Sequence, residues 1–261
     1  MSLIVFDIGN TNITFGSFNG RKLDFYQSIP TQKAKSDFSI ILSSLKKNKI
    51  KQVDGIVISS VVPPLDRYFK EFFQKHLSKN LLFVNYKNSG LKVLYRNPRE
   101  IGADRIANAV AGYEIYKRPL IIIDFGTAIT FDCVDSSGRY LGGIILPGIR
   151  ISAQALAEKT AKLPYVEVSE PESLIGRSTK ECISSGIYYG TIGAVKEIIF
   201  YLKKQMGKGV MVIATGGDAG MFMKRIPEIK KNIPKITLYG LKIIWEKNRD
   251  TSHFSCSESD Q

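Results

Sequence analysis

Two short stretches of the sequence carry an aspartate, a glycine and hydroxyl residues in the same order. The first is DIGNTNIT at residues 7–14, and the second is DFGTAIT at residues 124–130. In each stretch an apolar run leads to the aspartate, and the glycine that follows allows the backbone to approach a ligand closely. Backbone N–H groups and threonine hydroxyls in such a turn can bind phosphate oxygens, while the carboxylate can orient Mg²⁺ or its water shell. The two stretches therefore predict a site for a phosphorylated ligand and a metal ion.

Each stretch alone has a second explanation, since the turn residues of a β-hairpin would produce DIGNT without any ligand. Their similarity favours function. When residues 3–7 are aligned with residues 120–124, Gly9 falls on Gly126. After a one-residue gap the further matches are Thr11 with Thr127, Ile13 with Ile129, Thr14 with Thr130 and Phe15 with Phe131. We predict two related halves that face each other across a cleft, so that the two loops hold a triphosphate from both sides.

A third set of residues, Gly102-Ala103-Asp104-Arg105, follows an Asn-Pro break and precedes a helical pattern. Phosphoryl transfer to a hydroxyl needs a group that accepts the hydroxyl proton, and Asp104 is the candidate. Helix capping is the alternative, because aspartate is favoured at helix N-caps. Arg105 weakens that alternative, since a cation in the first turn is electrostatically unfavourable. Binding of a substrate carboxylate by its guanidinium fork would explain the arginine.

The composition restricts the class of protein. With 261 residues, 44% of them hydrophobic, the chain can form one large domain or two of ordinary size. Three cysteines without metal-ligand spacing argue against a disulfide framework. No secretory leader is present, and no apolar run approaches the roughly 20 residues that span a bilayer. We therefore expect a soluble, cytoplasmic protein that has no membrane partner.

The formal net charge of +13 raises the question of a polyanionic partner. The charge comes mostly from lysines that are spread over predicted helix faces, and no helix-turn-helix, zinc-finger or RNP-like pattern accompanies them. A solvated surface is therefore favoured over a nucleic-acid interface. The sequence also lacks the GxxxxGK[ST], GxGxxG and HExxH motifs.

The elements that must position these residues follow a mixed α/β order. Apolar runs on both sides of the first loop predict a β-hairpin, and proline or glycine breaks separate the later strands and helices. Further strands are predicted at 55–62, 81–84, 120–124, 128–134 and 140–148, and in VMVIATGG. Helices are predicted at 65–77, 101–116, 149–162, 179–206 and 236–245. The predicted domains are 1–117 and 118–248, followed by a flexible tail at 249–261.

Taken together, the motifs resemble those of the type III pantothenate kinases, which belong to the acetate and sugar kinase/Hsp70/actin superfamily. The resemblance covers roughly residues 3–246 in the family's order and spacing. GADR, DFGTA and IGRST are specific as a set, whereas the first loop is shared across the superfamily. The motifs are DIGNTN at 7–12, SVVP at 60–63, GADR at 102–105, DFGTAIT at 124–130, PG at 147–148, IGRST at 175–179 and TGG at 215–217.

The resemblance implies a fold of duplicated ribonuclease-H-like, actin-like ATPase domains and an ATP-dependent phosphorylation of pantothenate, the first step towards coenzyme A. ATP with Mg²⁺ or a similar divalent ion would bind at the first loop with help from Thr127. The first-loop residues are Asp7, Ile8, Gly9, Asn10, Thr11, Asn12, Ile13 and Thr14. Asp104 would be the general base for the primary hydroxyl of pantothenate, and Asp124 would bind a monovalent cation, K⁺ or NH₄⁺.

The resemblance also implies the substrate pocket and the assembly. Gly102, Ala103, Asp104 and Arg105 would contact pantothenate, and Tyr95 falls where the family has an aromatic contact. Thr179 matches a threonine that the family supplies to the pocket of the neighbouring subunit, so a homodimer is implied. Ser178 stands where many relatives carry Asn or Asp.

Two other functions stay open at this point. A non-catalytic relative that acts as a regulatory or nucleic-acid-binding factor would account for the charge, although its retention of Asp7, Asp104, Arg105 and Asp124 would then be unexplained. A kinase of the same fold could instead phosphorylate another small hydroxyl compound.

Overall fold

The computed structural model describes residues 2–50, 53–78 and 80–254. The chain folds into two compact units, one formed by the residues up to Ile115 and from Ile236 onward, the other by Tyr116–Lys235. The strands are β1 (Ser2–Ile8), β2 (Asn12–Asn19), β3 (Lys22–Pro30), β4 (Gly55–Ser60), β5 (Leu81–Phe83), β6 (Leu120–Phe125), β7 (Ala128–Val134), β8 (Tyr140–Pro147), β9 (Met211–Thr215) and β10 (Ile229–Asn232). The helices are α1 (Thr31–Ser36), α2 (Ser39–Lys47), α3 (Pro63–His76), α4 (Ala103–Tyr116), α5 (Ile149–Lys159), α6 (Thr179–Met206), α7 (Ala219–Met223) and α8 (Ile236–Phe254).

Both units contain a five-stranded sheet with the same strand order. The orders are β3-β2-β1-β4-β5 in the first unit and β8-β7-β6-β9-β10 in the second. In each sheet the central strand, which is the first strand of its unit, pairs antiparallel with the second strand and parallel with the fourth. The duplication inferred from two loops thus extends to the whole of both sheets. The relative placement of the units stays a prediction.

The apolar faces of the strands explain the core of each unit. In β1 the alternate residues Ile4, Phe6 and Ile8 are fully buried and pack with the α3 residues Phe69 and Phe73. The Phe6 and Phe73 rings lie 4.5 Å apart, in the range of favourable aromatic pairs. The opposite face of β1 begins with Leu3 and Val5 and ends with Asp7. The aspartate therefore reaches the strand end on the face that is turned away from this core.

The second unit repeats this arrangement. Ile121, Ile123 and Phe125 of β6 belong to a core that α6 and α7 complete with Tyr188 and Phe222. The alternate positions of β6 point to the other face and end with Asp124. Among the described helices, none is long and apolar enough to cross a membrane.

The C-terminal helix corrects the predicted domain boundaries. Residues 236–248 were assigned to the second domain, but α8 groups with the first unit. Tyr239 packs edge-on against Phe18 of β2 at 5.4 Å, and Trp245 lies so close to Gly55 of β4 that any side chain there would collide with its ring. The α8 helix continues to Phe254, and the flexible tail at 249–261 stays a prediction. Its remaining part, 255–261, lies outside the described residues.

The predicted helices and strands otherwise match the observed ones to within a few residues. No prediction was made for the region between β2 and β4, which contains β3, α1 and α2, or for α7 and β10. β3 is an edge strand whose residues are mostly exposed or half-buried, so it lacks the continuous apolar run that marks β1 and β6.

Candidate active site

The first loop lies at the end of β1. The Gly9 N–H donates to the Asn12 carbonyl oxygen at 2.9 Å, which closes the turn that leads into β2. The Asn10, Thr11 and Asn12 side chains are exposed, and Asp7, Gly9 and Thr14 are half-buried. The predicted residues Ile8 and Ile13 are fully buried. Their side chains therefore belong to the core, and only their backbone can serve a ligand.

Thr31, which the sequence reasoning missed, fixes this loop from the start of α1. Its hydroxyl donates to the Gly9 carbonyl oxygen at 2.6 Å, and its N–H donates to the Thr11 carbonyl oxygen at 2.9 Å. The residue is 2% exposed. Only a tertiary contact joins Thr31 to the loop, so no local pattern could have identified it.

The second loop joins β6 and β7 and exposes Thr127 at its tip. The Gly148 N–H donates to the Thr127 carbonyl oxygen at 3.1 Å, which ties the loop to the start of α5. A Cβ atom on Gly148 would collide with the carbonyl oxygens of Gly126 and Thr127. The PG motif is therefore explained by close packing of the backbone against this loop.

Asp124 lies close to the backbone of Gly216, where a side chain is excluded. A Cβ atom on Gly126 would lie 3.4 Å from Asp124 Oδ1, and one on Gly216 would collide with the Phe125 carbonyl oxygen. Gly216 has a φ of +94°, in the region that favours glycine. The Asp218 N–H donates to the same Phe125 carbonyl oxygen at 3.1 Å. The TGG motif, which the sequence reasoning gave no role, thus packs beside the Asp124 carboxylate.

Asp104 is the second residue of α4, so the helix begins one residue before it. One carboxylate oxygen, Oδ1, accepts a hydrogen bond from the Arg105 N–H at 2.8 Å. A Cβ atom on Gly102 would collide with this oxygen and lie 3.3 Å from Val61 of the SVVP motif. Burial raises the pKa of the Asp104 carboxyl, although the hydrogen bond from Arg105 and the charge of that residue oppose the shift. A carboxylate with a raised pKa is a better proton acceptor than one at the surface.

The residues expected to bind the substrate do not all lie in one unit. Arg105 is 7% exposed, so most of its side chain is buried. Ala103 is buried, and Tyr95 is half-buried in the segment before α4. Thr179 is exposed at the start of α6 in the second unit. Tyr95 and the GADR residues therefore share the first unit, whereas Thr179 does not.

Comparison with known proteins identifies the family. A model of the type III pantothenate kinases matches residues 3–200. The chain belongs to the type III pantothenate kinase family. It is 42% identical over 252 residues to a type III pantothenate kinase from Moorella thermoacetica, which covers 94% of this chain and 99% of the relative. A type III pantothenate kinase from Solibacter usitatus is 41% identical over 252 residues, covering 94% of this chain and 97% of the relative.

Solved structures confirm the fold class. A protein from Campylobacter jejuni assigned to the Baf family of transcriptional activators matches with a TM-score of 0.61 and 23% identity, covering 95% of this chain and 99% of that one. A ROK family protein from Streptococcus pneumoniae, solved with sucrose, matches with a TM-score of 0.56 and 12% identity, covering 96% and 100%. At these identities the likeness shows the fold alone. The prediction of an α/β fold of duplicated ribonuclease-H-like, actin-like ATPase domains is confirmed.

The IGRST motif of this type III pantothenate kinase family member forms the N-terminal cap of α6. The Ser178 hydroxyl accepts a hydrogen bond from the Glu181 N–H at 3.3 Å, and the Glu181 carboxylate accepts one from the Arg177 N–H at 2.7 Å. Ser178 is thus the N-cap residue of α6, a position at which serine, asparagine and aspartate are all favoured. Within the described part of the chain no three His, Cys, Asp or Glu residues are grouped as a metal site would require.

Proposed function

We propose that this type III pantothenate kinase family member transfers the γ-phosphoryl group of ATP to the primary hydroxyl of pantothenate, with Asp104 as the general base. The observation that carries the assignment of the base is the environment of that carboxyl group. It is held at the start of α4 against Gly102, next to Arg105, and burial raises its pKa. Proton transfer to such a group assists attack of the hydroxyl on phosphorus.

The two glycine loops bind the ATP phosphates. The first supplies backbone groups of residues 8–13 and the exposed side chains of Asn10, Thr11 and Asn12, and the second supplies Thr127. Asp7 holds the divalent ion together with the phosphates, since Mg²⁺ usually binds to one or two carboxylates and to substrate oxygens rather than to a protein cage. Phosphoryl transfer needs mainly this positioning and charge neutralisation.

Pantothenate binds at the start of α4. Its carboxylate meets the Arg105 guanidinium, and its chain lies along Tyr95 and the backbone of Gly102 and Ala103. Arginine suits this role because its planar fork can donate two parallel hydrogen bonds to a carboxylate.

Asp124 binds a monovalent cation, K⁺ or NH₄⁺. Its surroundings fit such an ion, because Gly216 keeps the space beside the carboxylate free of a further side chain and leaves backbone atoms there. When bound, the cation supplies positive charge near the phosphate-binding loops. The fixed backbone around Asp124 keeps the carboxylate oriented for it.

A homodimer brings Thr179 into the pocket of the neighbouring subunit. The exposed face of α6 supports this assembly, because it carries the small residues Gly186, Gly190, Gly193 and Ala194. A Cβ atom on any of the three glycines would meet nothing within 4 Å. Farther along the helix, Phe200 and Tyr201 are 59% and 58% exposed. This helix face of small and aromatic residues also carries the exposed Glu197, and its small residues suit close packing against a second copy.

The experiment is a coupled assay of ATP consumption by the purified protein. We expect turnover only when pantothenate, Mg²⁺ and K⁺ or NH₄⁺ are all present, with the product identified as 4'-phosphopantothenate. A panel of other small alcohols tests the acceptor, since a different compound that raises turnover more than pantothenate would change the assigned substrate. Absence of turnover with every acceptor would remove the enzymatic assignment. The cytoplasm is the compartment expected for an enzyme that uses ATP.

A further inference from the structure

Each of the two strand-end aspartates is flanked by hydroxyl residues on both neighbouring strands. Asp7 pairs in register with Thr14 of β2 and with Ser59 of β4. Asp124 pairs in register with Thr130 of β7 and with Thr215 of β9. Residues at matching positions on neighbouring strands project to the same face, and the strands lie about 4.8 Å apart. Both carboxylates therefore lie between two hydroxyls, and the duplication has kept this arrangement.

One hydroxyl beside each carboxylate is buried and has no hydrogen-bond partner among the described residues. These are Ser59 Oγ and Thr130 Oγ1, and Ser59 is fully buried as a residue. A buried hydroxyl without a partner costs free energy, so folded proteins rarely keep one without a reason. Valine has nearly the shape of threonine and is favoured in strands, so packing alone does not explain a hydroxyl at position 130.

We propose that the Ser59 and Thr130 hydroxyls are positioning groups, which donate hydrogen bonds to the Asp7 and Asp124 carboxylates when these bind their cations. The proposal rests on the proposed function, in which Asp7 holds the divalent ion with ATP and Asp124 holds the monovalent ion. In the ligand-free chain both carboxylates already have other interactions. A cation draws one carboxylate oxygen towards itself, and the adjacent hydroxyl then holds the other oxygen and fixes the orientation of the group.

The test measures thermal unfolding of the full chain while ligands are titrated. One titration uses KCl, with choline chloride keeping the ionic strength constant, and the other uses Mg²⁺ with a non-hydrolysable ATP analogue in saturating KCl. The variants are Thr130→Val and Ser59→Ala, with Thr130→Ser as the conservative replacement. Ser17→Ala is the matched control, because Ser17 is a buried β2 hydroxyl that pairs with Ile4, on the face opposite Asp7.

Without ligand, Thr130→Val is expected to unfold at the wild-type temperature or above it, since it removes an unsatisfied polar atom. Its KCl midpoint is expected to rise about tenfold, the usual effect of one hydrogen bond to a charged group. Thr130→Ser restores the wild-type KCl midpoint. Ser59→Ala raises the midpoint for the Mg²⁺–nucleotide complex about tenfold and leaves the KCl midpoint unchanged. Ser17→Ala leaves both midpoints at their wild-type values.

Three results would each overturn a part of the inference, and they differ in what else they remove. If the wild type responds to KCl and Thr130→Val has the same midpoint, the positioning role fails while the cation site at Asp124 stands. If the wild type shows no response to KCl, the cation assignment fails and the role of Thr130 fails with it. An unchanged nucleotide midpoint in Ser59→Ala removes the corresponding role beside Asp7.

Discussion

At the scale of single residues, the Asp104 carboxyl group combines burial with a task that requires charge. Burial raises its pKa, and the backbone and charge of Arg105 only partly oppose the shift. A general base must be ionised, so kcat/KM is expected to rise with pH through this raised pKa.

Asp104→Asn cannot accept a proton and is expected to lower kcat by roughly 10²- to 10⁴-fold. Steady-state kinetics over a pH series check both statements, and a variant that kept wild-type turnover would exclude Asp104 as the base.

The same substitution is expected to act in the opposite direction on stability. A carboxyl whose folded-state pKa is raised stabilises the native state while protonated, and this contribution is lost as the pH rises through the folded pKa. The amide stays neutral, so Asp104→Asn should unfold at a higher temperature than the wild type at neutral pH. The difference should vanish at low pH, where the aspartic acid is protonated as well. Thermal unfolding followed by circular dichroism at both pH values measures this, and a lower unfolding temperature at neutral pH would contradict it.

Thr31 offers a residue-scale test of the first loop. Thr31→Val keeps the shape of the side chain but removes the hydrogen bond to the Gly9 carbonyl oxygen. We expect a loss of about 1 kcal/mol in the free energy of unfolding and a higher KM for ATP with little change in the KM for pantothenate. Thr31→Ser keeps the hydroxyl and serves as the control. Equal rises in both KM values would show that the loop does not act on ATP in particular.

Among the site residues, those adjacent in sequence could be predicted and those joined by tertiary contacts could not. Asp7, Asp104 and Asp124 each lie where a strand ends or a helix begins, and such positions leave a local pattern. Thr31 and Gly216 reach the loops from distant parts of the chain. The buried hydroxyl of Ser59, which has no hydrogen-bond partner among the described residues, lies beside Asp7 because β1 pairs with β4. The sequence alone does not show this pairing.

At the scale of the elements, the second loop is held by the junction of β8 and α5. Gly148 has a φ of −69°, which any residue can adopt. The obstacle to a side chain there is the collision with the carbonyl oxygens of Gly126 and Thr127. The position of α8 likewise depends on tertiary packing. Its sequence shows an amphipathic helix but does not show which sheet the helix covers, and the predicted domain boundary therefore differs from the observed one.

Gly148→Ala is therefore expected to displace the loop that carries Thr127. Small insertions into a well-packed site typically cost about 1–3 kcal/mol of unfolding free energy, and we expect the KM for ATP to rise as well. Gly220→Ala is the matched control, because Gly220 is an exposed α7 residue whose added Cβ would meet nothing within 4 Å. That substitution should leave the kinetics unchanged and stabilise the helix slightly. Denaturant unfolding and ATP titrations test both variants, and wild-type behaviour of Gly148→Ala would contradict the role of the junction.

At the scale of the whole molecule, duplication and assembly serve different parts of the proposed reaction. The two sheets share one strand order, and each ends its central strand in an aspartate beside a glycine loop, which suits a ligand with several phosphates. The acceptor side has no such repeat. Asp104 and Arg105 lie in the first unit, and Thr179 lies in the second. Supply of Thr179 by a second copy would complete the acceptor pocket, so the dimer is expected to be required for activity.

Mixing two inactive variants tests this requirement. Asp104→Asn removes the base, and Thr179→Glu places a negative charge where the anionic substrate binds while remaining favourable at a helix N-terminus. If Thr179 acts in the partner's pocket, a mixed dimer combines the intact Asp104 of one chain with the intact Thr179 of the other in one of its two sites. Random mixing then restores about one quarter of wild-type activity, because half of the dimers are mixed and each has one complete site. If Thr179 acts within its own chain, each chain keeps one defect and co-expression restores nothing. Light scattering on the same samples shows whether dimers form, and activity in a monomeric sample would exclude a pocket shared between subunits.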